Sequence, residues 1–155
     1  MKSFLLKNNL PTIKFSRIPD NIFFEGSLPG PEYSLAVCPT NEKMVVVDID
    51  CKEGKVNGYD HIPPNILEEL LRSYNYETKS GGRHIFLHYT GNKLLKNCAT
   101  EYSIDLRIGA NKETGNAGGF VVYYEAQKGK DIRDHIHLIK ETSNEVNLFL
   151  ENLFS

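Results

Sequence analysis

Cysteine is scarce in this chain, positive charge is not in excess, and no long apolar run is present. The three cysteines, Cys38, Cys51 and Cys98, are scattered and odd in number. They suggest neither a metal-type pair nor a disulfide framework, so the expected location is a reducing cytoplasm. Without a run of about 18 apolar residues, no membrane span is expected. The opening residues, Met1-Lys2-Ser3-Phe4-Leu5-Leu6-Lys7-Asn8, carry too short an apolar stretch for a secretion signal. Lysine and arginine number 18 against 20 aspartates and glutamates, a formal net charge of -2. Proteins that hold nucleic acid through overall charge are usually basic. Any nucleic acid would therefore be gripped here by a local basic patch or with a helper.

Hydrophobic residues make up 40% of the chain and charged residues 25%, the balance of a globular protein, and 155 residues suit one domain spanning 1–155. Residues 1–32 are weakly patterned and interrupted by Pro11, Pro19, Pro29, Gly30 and Pro31. Alternation predicts strands over 33–38 and 44–50, joined as a hairpin through Pro39-Thr40-Asn41-Glu42-Lys43. Val45-Val46-Val47 is apolar on both faces, which predicts a central strand covered by helices on at least one side. Pro63-Pro64 opens a helix whose stripe is Ile66, Leu67, Leu70, Leu71 and Tyr74. Further strands are expected over 83–89, 103–108 and 119–124. Thr142-Ser143-Asn144-Glu145 has capping-box spacing and starts a closing helix, about 143–154, with Val146, Phe149, Leu150, Leu153 and Phe154 on its apolar side. The expected fold class is α+β, a mixed or mostly antiparallel sheet with helices on one face.

Val47-Asp48-Ile49-Asp50 carries the first chemical signal. In a strand the side-chain period is two, so Asp48 and Asp50 point the same way, about 6.6 Å apart along the chain. Two carboxylates at the end of an apolar strand lose solvation and repel each other, and a divalent cation would offset both effects. The plain alternative is that the strand simply ends there in water. Ser103-Ile104-Asp105-Leu106-Arg107-Ile108 adds a third acid, with Ser103, Asp105 and Arg107 on one face. That acid is either paired structurally, with Arg107 or a lysine, or completes a site for two cations, about 3.5–4 Å apart in phosphoryl-transfer enzymes.

Thr78-Lys79-Ser80-Gly81-Gly82-Arg83-His84 is the second signal. Paired glycines entering a strand let backbone amides approach a ligand, while Ser80, Arg83 and His84 offer donors suited to a triphosphate. The alternative is an ordinary hairpin turn with a surface histidine.

The stretches VVVDID, SGGRHIFLHY and IDLRIG…GGFVVYY together resemble, in order, the three motifs of the archaeo-eukaryotic primase superfamily. The branch the chain looks most like is the bifunctional primase-polymerase domain of phage and plasmid replication proteins, which implies the cytoplasm of a bacterial or archaeal host cell. The resemblance covers about residues 33–124 and implies a sheet built like an RNA-recognition module. Carried over by position, it implies that Asp48, Asp50 and Asp105 bind two Mg²⁺ or Mn²⁺ ions. Ser80, Gly81, Gly82, Arg83 and His84 would meet the phosphates of an incoming NTP or dNTP, with Arg107 adding positive charge and Gly118-Gly119 leading into the next strand. The implied activity is nucleotidyl transfer to a nucleic-acid 3′ end on a single-stranded or primed DNA template, with a separate helicase or helical primase subunit as a further partner. Lys93, Lys96, Lys128, Lys130 and Arg133 are candidates for template contacts.

Two rivals remain. One is a catalytically reduced domain that binds nucleotides or single strands as an accessory of a replication or defence complex, which the acidic net charge favours. The other is a rolling-circle nuclease, for which Asp134-His135-Ile136-His137-Leu138 would supply a strand-borne histidine pair. No tyrosine follows Tyr124 to serve as its nucleophile.

Overall fold

Alternation decides which way each side chain of the central strands points, and three runs obey it closely. In the computed structural model, which describes residues 2–6, 13–18, 21–26, 34–38, 44–108, 121–123 and 135–155, these runs are β5 (Met44–Ile49), β7 (Arg83–His88) and β9 (Ile104–Ile108). β5 lies between β7 and β9 and is antiparallel to both, as its double-sided apolar character predicts. β6 (Asn75–Glu77) and β11 (Lys140–Glu141) pair with the other edge of β7, and β8 (Cys98–Ala99) with the outer edge of β9. The result is a six-stranded sheet, antiparallel except where β11 joins β7.

One face of this sheet is hydrocarbon. Val45, Val47 and Ile49, Ile85 and Leu87, and Ile104, Leu106 and Ile108 form one buried cluster with residues of two helices. Burying such side chains contributes roughly 1.5–3 kcal/mol each. The first helix, α1 (Pro64–Leu70), begins with proline in its first turn and sends Ile66 and Leu70 inward. It ends sooner than the expected stripe through Tyr74. Ser73 leaves the helix to donate its hydroxyl to the Phe86 carbonyl (2.5 Å) while accepting from the Lys140 amide (2.8 Å), which ties α1 to β7 and β11. The second helix, α2 (Asn144–Phe154), buries Val146, Leu150 and Phe154. Its cap is Ser143, which accepts from the Val146 amide, one residue later than the capping-box spacing suggested. Thr142 is engaged elsewhere, with Asn147 and Thr90.

The predicted hairpin of 33–38 with 44–50 does not form. β4 (Ser34–Cys38) instead lies between β1 (Lys2–Leu6) and β10 (Val121–Tyr123) in a separate three-stranded sheet, which also removes the 119–124 strand from the central sheet. β2 (Ile13–Ile18) and β3 (Asn21–Gly26) pair with each other as a third unit. The class is thus α+β, with an antiparallel core sheet and two α-helices among the described residues. No helix among them is long and apolar enough to cross a membrane.

Candidate functional site

The face of the central sheet turned away from the helices carries the polar residues. The pairing registers are Tyr76 with His84, His84 with Asp48, Asp48 with Asp105, and Asp105 with Ala99. One continuous row, Tyr76–His84–Asp48–Asp105–Ala99, therefore crosses five strands. Directly opposed residues have Cβ atoms about 4.5–5.5 Å apart. Asp48 and Asp105, separated by more than fifty residues of sequence, are thus brought together by β5 and β9. The next row holds Val46 between Phe86 and Arg107. Val46 and Phe86 are fully buried, so this part of the face is covered rather than open.

Asp50 stands just past the end of β5 and is held by its backbone. Its amide donates to the Ser103 carbonyl and its carbonyl accepts from the Gly58 amide, both at 2.9 Å. Gly58 has no room for a side chain, because a Cβ there would press on the Ser103 carbonyl and the Ile49 side chain. Ser103 adopts φ +58, an uncommon conformation for a residue with a side chain. Such strain is often stored beside functional groups.

Electrostatics sets the acids apart from ordinary surface carboxylates. Burial pushes Asp48 up to about 7, helped by the charges of Asp50 and Asp105 and opposed by Arg107 and Lys52. Burial also raises Asp105, against the pull of Arg107 and with a further push from Asp50. His84 goes the other way, down to about 4, because burial and then the Arg107 charge disfavour the imidazolium. Near pH 7 His84 is therefore a neutral ring. Its Nε2 lies 3.5 Å from Asp48 Oδ1 and its Nδ1 2.6 Å from the Tyr76 hydroxyl. Arg107 Nη2 donates to Asp105 Oδ2 at 3.2 Å, so the structural Asp105–Arg107 pair considered from sequence is present.

The glycine-histidine segment proves to be the turn of the β6–β7 hairpin. The Thr78 amide donates to the Gly82 carbonyl and the Gly81 amide to the Thr78 carbonyl. Gly81 has φ +89, and a Cβ on Gly82 would collide with the Ile49 carbonyl oxygen, so the local fold accounts for both glycines. The Tyr59 hydroxyl steadies this turn by donating to the Gly81 carbonyl at 3.0 Å. Ser80 is exposed at its tip. Arg83 does not join His84: alternation turns it to the other face, where Nη1 donates to Asn75 Oδ1 at 2.7 Å.

Other sequence candidates lie apart. Lys93 and Lys96 are exposed, and the Lys96 amide donates to the Phe154 carbonyl at the end of α2, away from the row. His135 stacks on Tyr74 at 4.7 Å, and His137 sits in a 3-10 turn (Ile136–Leu138), so this histidine pair is not borne on a strand. Gly118-Gly119, Lys128, Lys130 and Arg133 lie outside the described residues. Sequence reasoning missed Tyr76. The available signal was the alternation of Tyr74 and Tyr76 just before the turn, which folds back onto His84 and Phe86.

The donor chemistry suits a hard divalent cation, since carboxylate oxygens dominate and their own repulsion helps to raise Asp48. Among the described residues, however, no three His, Cys, Asp or Glu side chains are arranged around one point that could hold an ion. The acids are neighbours, and Asp48 and Asp105 already face His84 and Arg107. Comparison with known proteins finds no matching family model, no matching curated protein and no matching solved structure.

Proposed function

We propose that this protein is a metal-dependent nucleotidyl transferase of the primase-polymerase type, adding nucleotides from NTP or dNTP to a DNA 3′ end in phage or plasmid replication. The observation that carries this reading is the direct opposition of Asp48 and Asp105 on adjacent strands, with Asp50 fixed at the strand end beside them. The order of the three motifs along the chain and an antiparallel sheet backed by helices support an RNA-recognition-like core of the primase-polymerase kind. Asp48, Asp50 and Asp105 would hold Mg²⁺ or Mn²⁺. Bound there, the ions would compensate the triphosphate charge and acidify the attacking hydroxyl.

The chain's own residues would do the rest. Arg107, partly exposed beside Asp105, supplies positive charge for phosphate oxygens. Ser80 and Gly81, at the tip of the β6–β7 turn, offer a hydroxyl and a backbone amide. His84 acts as a neutral hydrogen-bonding ring, and Arg83 is engaged on the opposite face, with Asn75 and Tyr59.

The test is extension of a labelled primed template, and of an unprimed one, with Mg²⁺ or Mn²⁺ and each nucleotide type. Extension is expected for the intact protein and is expected to fall to background in Asp48→Asn and Asp105→Asn, with circular dichroism unchanged. Full activity in either variant removes the site.

A second reading, a nucleotide- or single-strand-binding accessory, is favoured by the internal partners that His84 and Arg107 already provide for the two acids. Calorimetric titration with Mn²⁺ and a nucleoside triphosphate separates the two, because the accessory would bind without incorporation.

A further inference from the structure

His84 is held between a buried phenol and a carboxylate. The Tyr76 hydroxyl lies 2.6 Å from Nδ1, Nε2 lies 3.5 Å from Asp48 Oδ1, and the three residues are consecutive in one cross-strand row. Tyr76 is 3% exposed, so its hydroxyl needs an internal partner. Its ring meets His84 edge-on, with centroids 5.1 Å apart, and packs against Phe86 at 5.8 Å. These contacts leave the phenol and the imidazole little freedom to turn.

A neutral imidazole has one N–H and one bare nitrogen, whereas a carboxylate that holds a cation is ionised and only accepts. The arrangement that satisfies both neighbours has Tyr76 donating to Nδ1 and the ring proton on Nε2, facing Asp48. We propose that Tyr76 and His84 form a positioning relay for Asp48, in which the Tyr76 hydroxyl fixes the imidazole tautomer and the Nε2–H orients the carboxylate beside Asp105. The proposal rests on the reading of Asp48 as a cation-holding acid and deepens it. It moves His84 from the phosphates to a place behind the acid and gives a role to a tyrosine outside the motifs. At 3.5 Å the His84–Asp48 contact is longer than a full N–H···O bond, so it steers the carboxylate without capturing it. Partners of this kind, one bond removed from a metal, typically change its affinity about 10–100-fold when lost.

The test uses the full chain carrying Tyr76→Phe, with His84→Gln and His84→Asn beside it. It reads the ¹⁵N shifts of the His84 ring and the affinity for Mn²⁺ alone by calorimetry. In the intact protein at pH 9, where Asp48 is ionised, the ring proton is expected on Nε2. Tyr76→Phe is expected to give a mixture of tautomers and about 10-fold weaker Mn²⁺ binding, with thermal unfolding still cooperative. His84→Gln, whose amide reaches the place of the Nε2–H, is expected to bind Mn²⁺ more tightly than His84→Asn, whose amide ends near the place of Nδ1. A wild-type ring protonated on Nδ1 overturns the relay, as does Tyr76→Phe with unchanged ring shifts and unchanged affinity. If the intact protein binds no Mn²⁺, the reading of the acids falls and takes the relay with it. If it binds Mn²⁺ and Tyr76→Phe makes no difference, the relay alone falls.

Discussion

On the helix-covered side of the central sheet β5, β7 and β9 present Val45, Val47, Ile49, Ile85, Leu87, Ile104, Leu106 and Ile108, whereas the other side of the same strands presents Asp48, His84, Asp105 and Arg107 beside Val46 and Phe86. The first set has every reason to be there for folding. The second contains two half-buried acids placed opposite each other, with Asp48 raised to about 7 by burial and by its acidic neighbours. Burial and like charge make that arrangement costly, which sets these residues apart from the apolar set that holds the sheet together.

Paired substitutions on the two faces should break this contrast if it is wrong. Leu106→Ala, on the helix side, is expected to lower stability by about 2–5 kcal/mol in a urea titration, through lost transfer energy and a cavity. Asp48→Asn, on the other side, is expected to leave stability at pH 8 equal or higher, because it removes a charge that burial disfavours, although it abolishes the proposed incorporation. A large loss of stability in Asp48→Asn would make the acid structural.

The pH dependence of stability sharpens the comparison on a smaller scale. Folding raises Asp48 from 3.8 to about 7, so the folded chain holds an extra proton there and stability falls as pH rises through that window. Folding lowers His84 from 6.5 to about 4, so stability falls as pH drops through that range. Between about pH 4 and 6.5 the two largely cancel in the intact protein, since the proton lost from the imidazole is kept by the carboxyl group. Asp48→Asn should unmask the histidine, with stability decreasing on acidification from pH 6.5 to 4. His84→Gln should unmask the aspartate, with stability decreasing as pH rises from 4 to 7. Each slope has an upper bound of about 1.4 kcal/mol per pH unit for one proton. Chemical denaturation at half-unit steps of pH measures both. Parallel, equally flat curves would contradict the assignment.

The smallest effect is expected at Ser103. Glycine tolerates φ +58 without a Cβ clash, so Ser103→Gly should change stability by less than about 1 kcal/mol, in the stabilising direction. The Asp50–Ser103 bond uses the backbone and should survive. A marked destabilisation would mean that the serine hydroxyl matters.

Much of the candidate site's layout was legible because its signal is periodic. Alternation along Ile104-Asp105-Leu106-Arg107-Ile108 placed Asp105 and Arg107 on one face, and the run Val45-Val46-Val47 marked β5 as central. Alternation could not show that β9 pairs next to β5 in the register that opposes Asp48 to Asp105, because strand partnership is decided by packing at long range. The same limit explains the false hairpin: residues 34–38 are adjacent to β5 in sequence but find their partners in β1 and β10. β2 and β3 were obscured by the prolines around them, although Pro19-Asp20 between two β-prone runs is itself a turn signal. The hold on Asp50 by Gly58 and Ser103 is made of backbone groups, which no choice of side chain announces.

The two short strands on the outer edge of β7 have a consequence of their own. β6 covers Arg83 to Ile85 and β11 covers Leu87 and His88, one arriving just before the turn and the other some sixty residues later. Exposed strand borders invite other polypeptides to add on, a common start of aggregation. Here β7's border is taken up by β6 and β11, so an intruding strand would meet those two short strands rather than β7 itself. The segment that leads into α2 thus also covers part of the edge of β7.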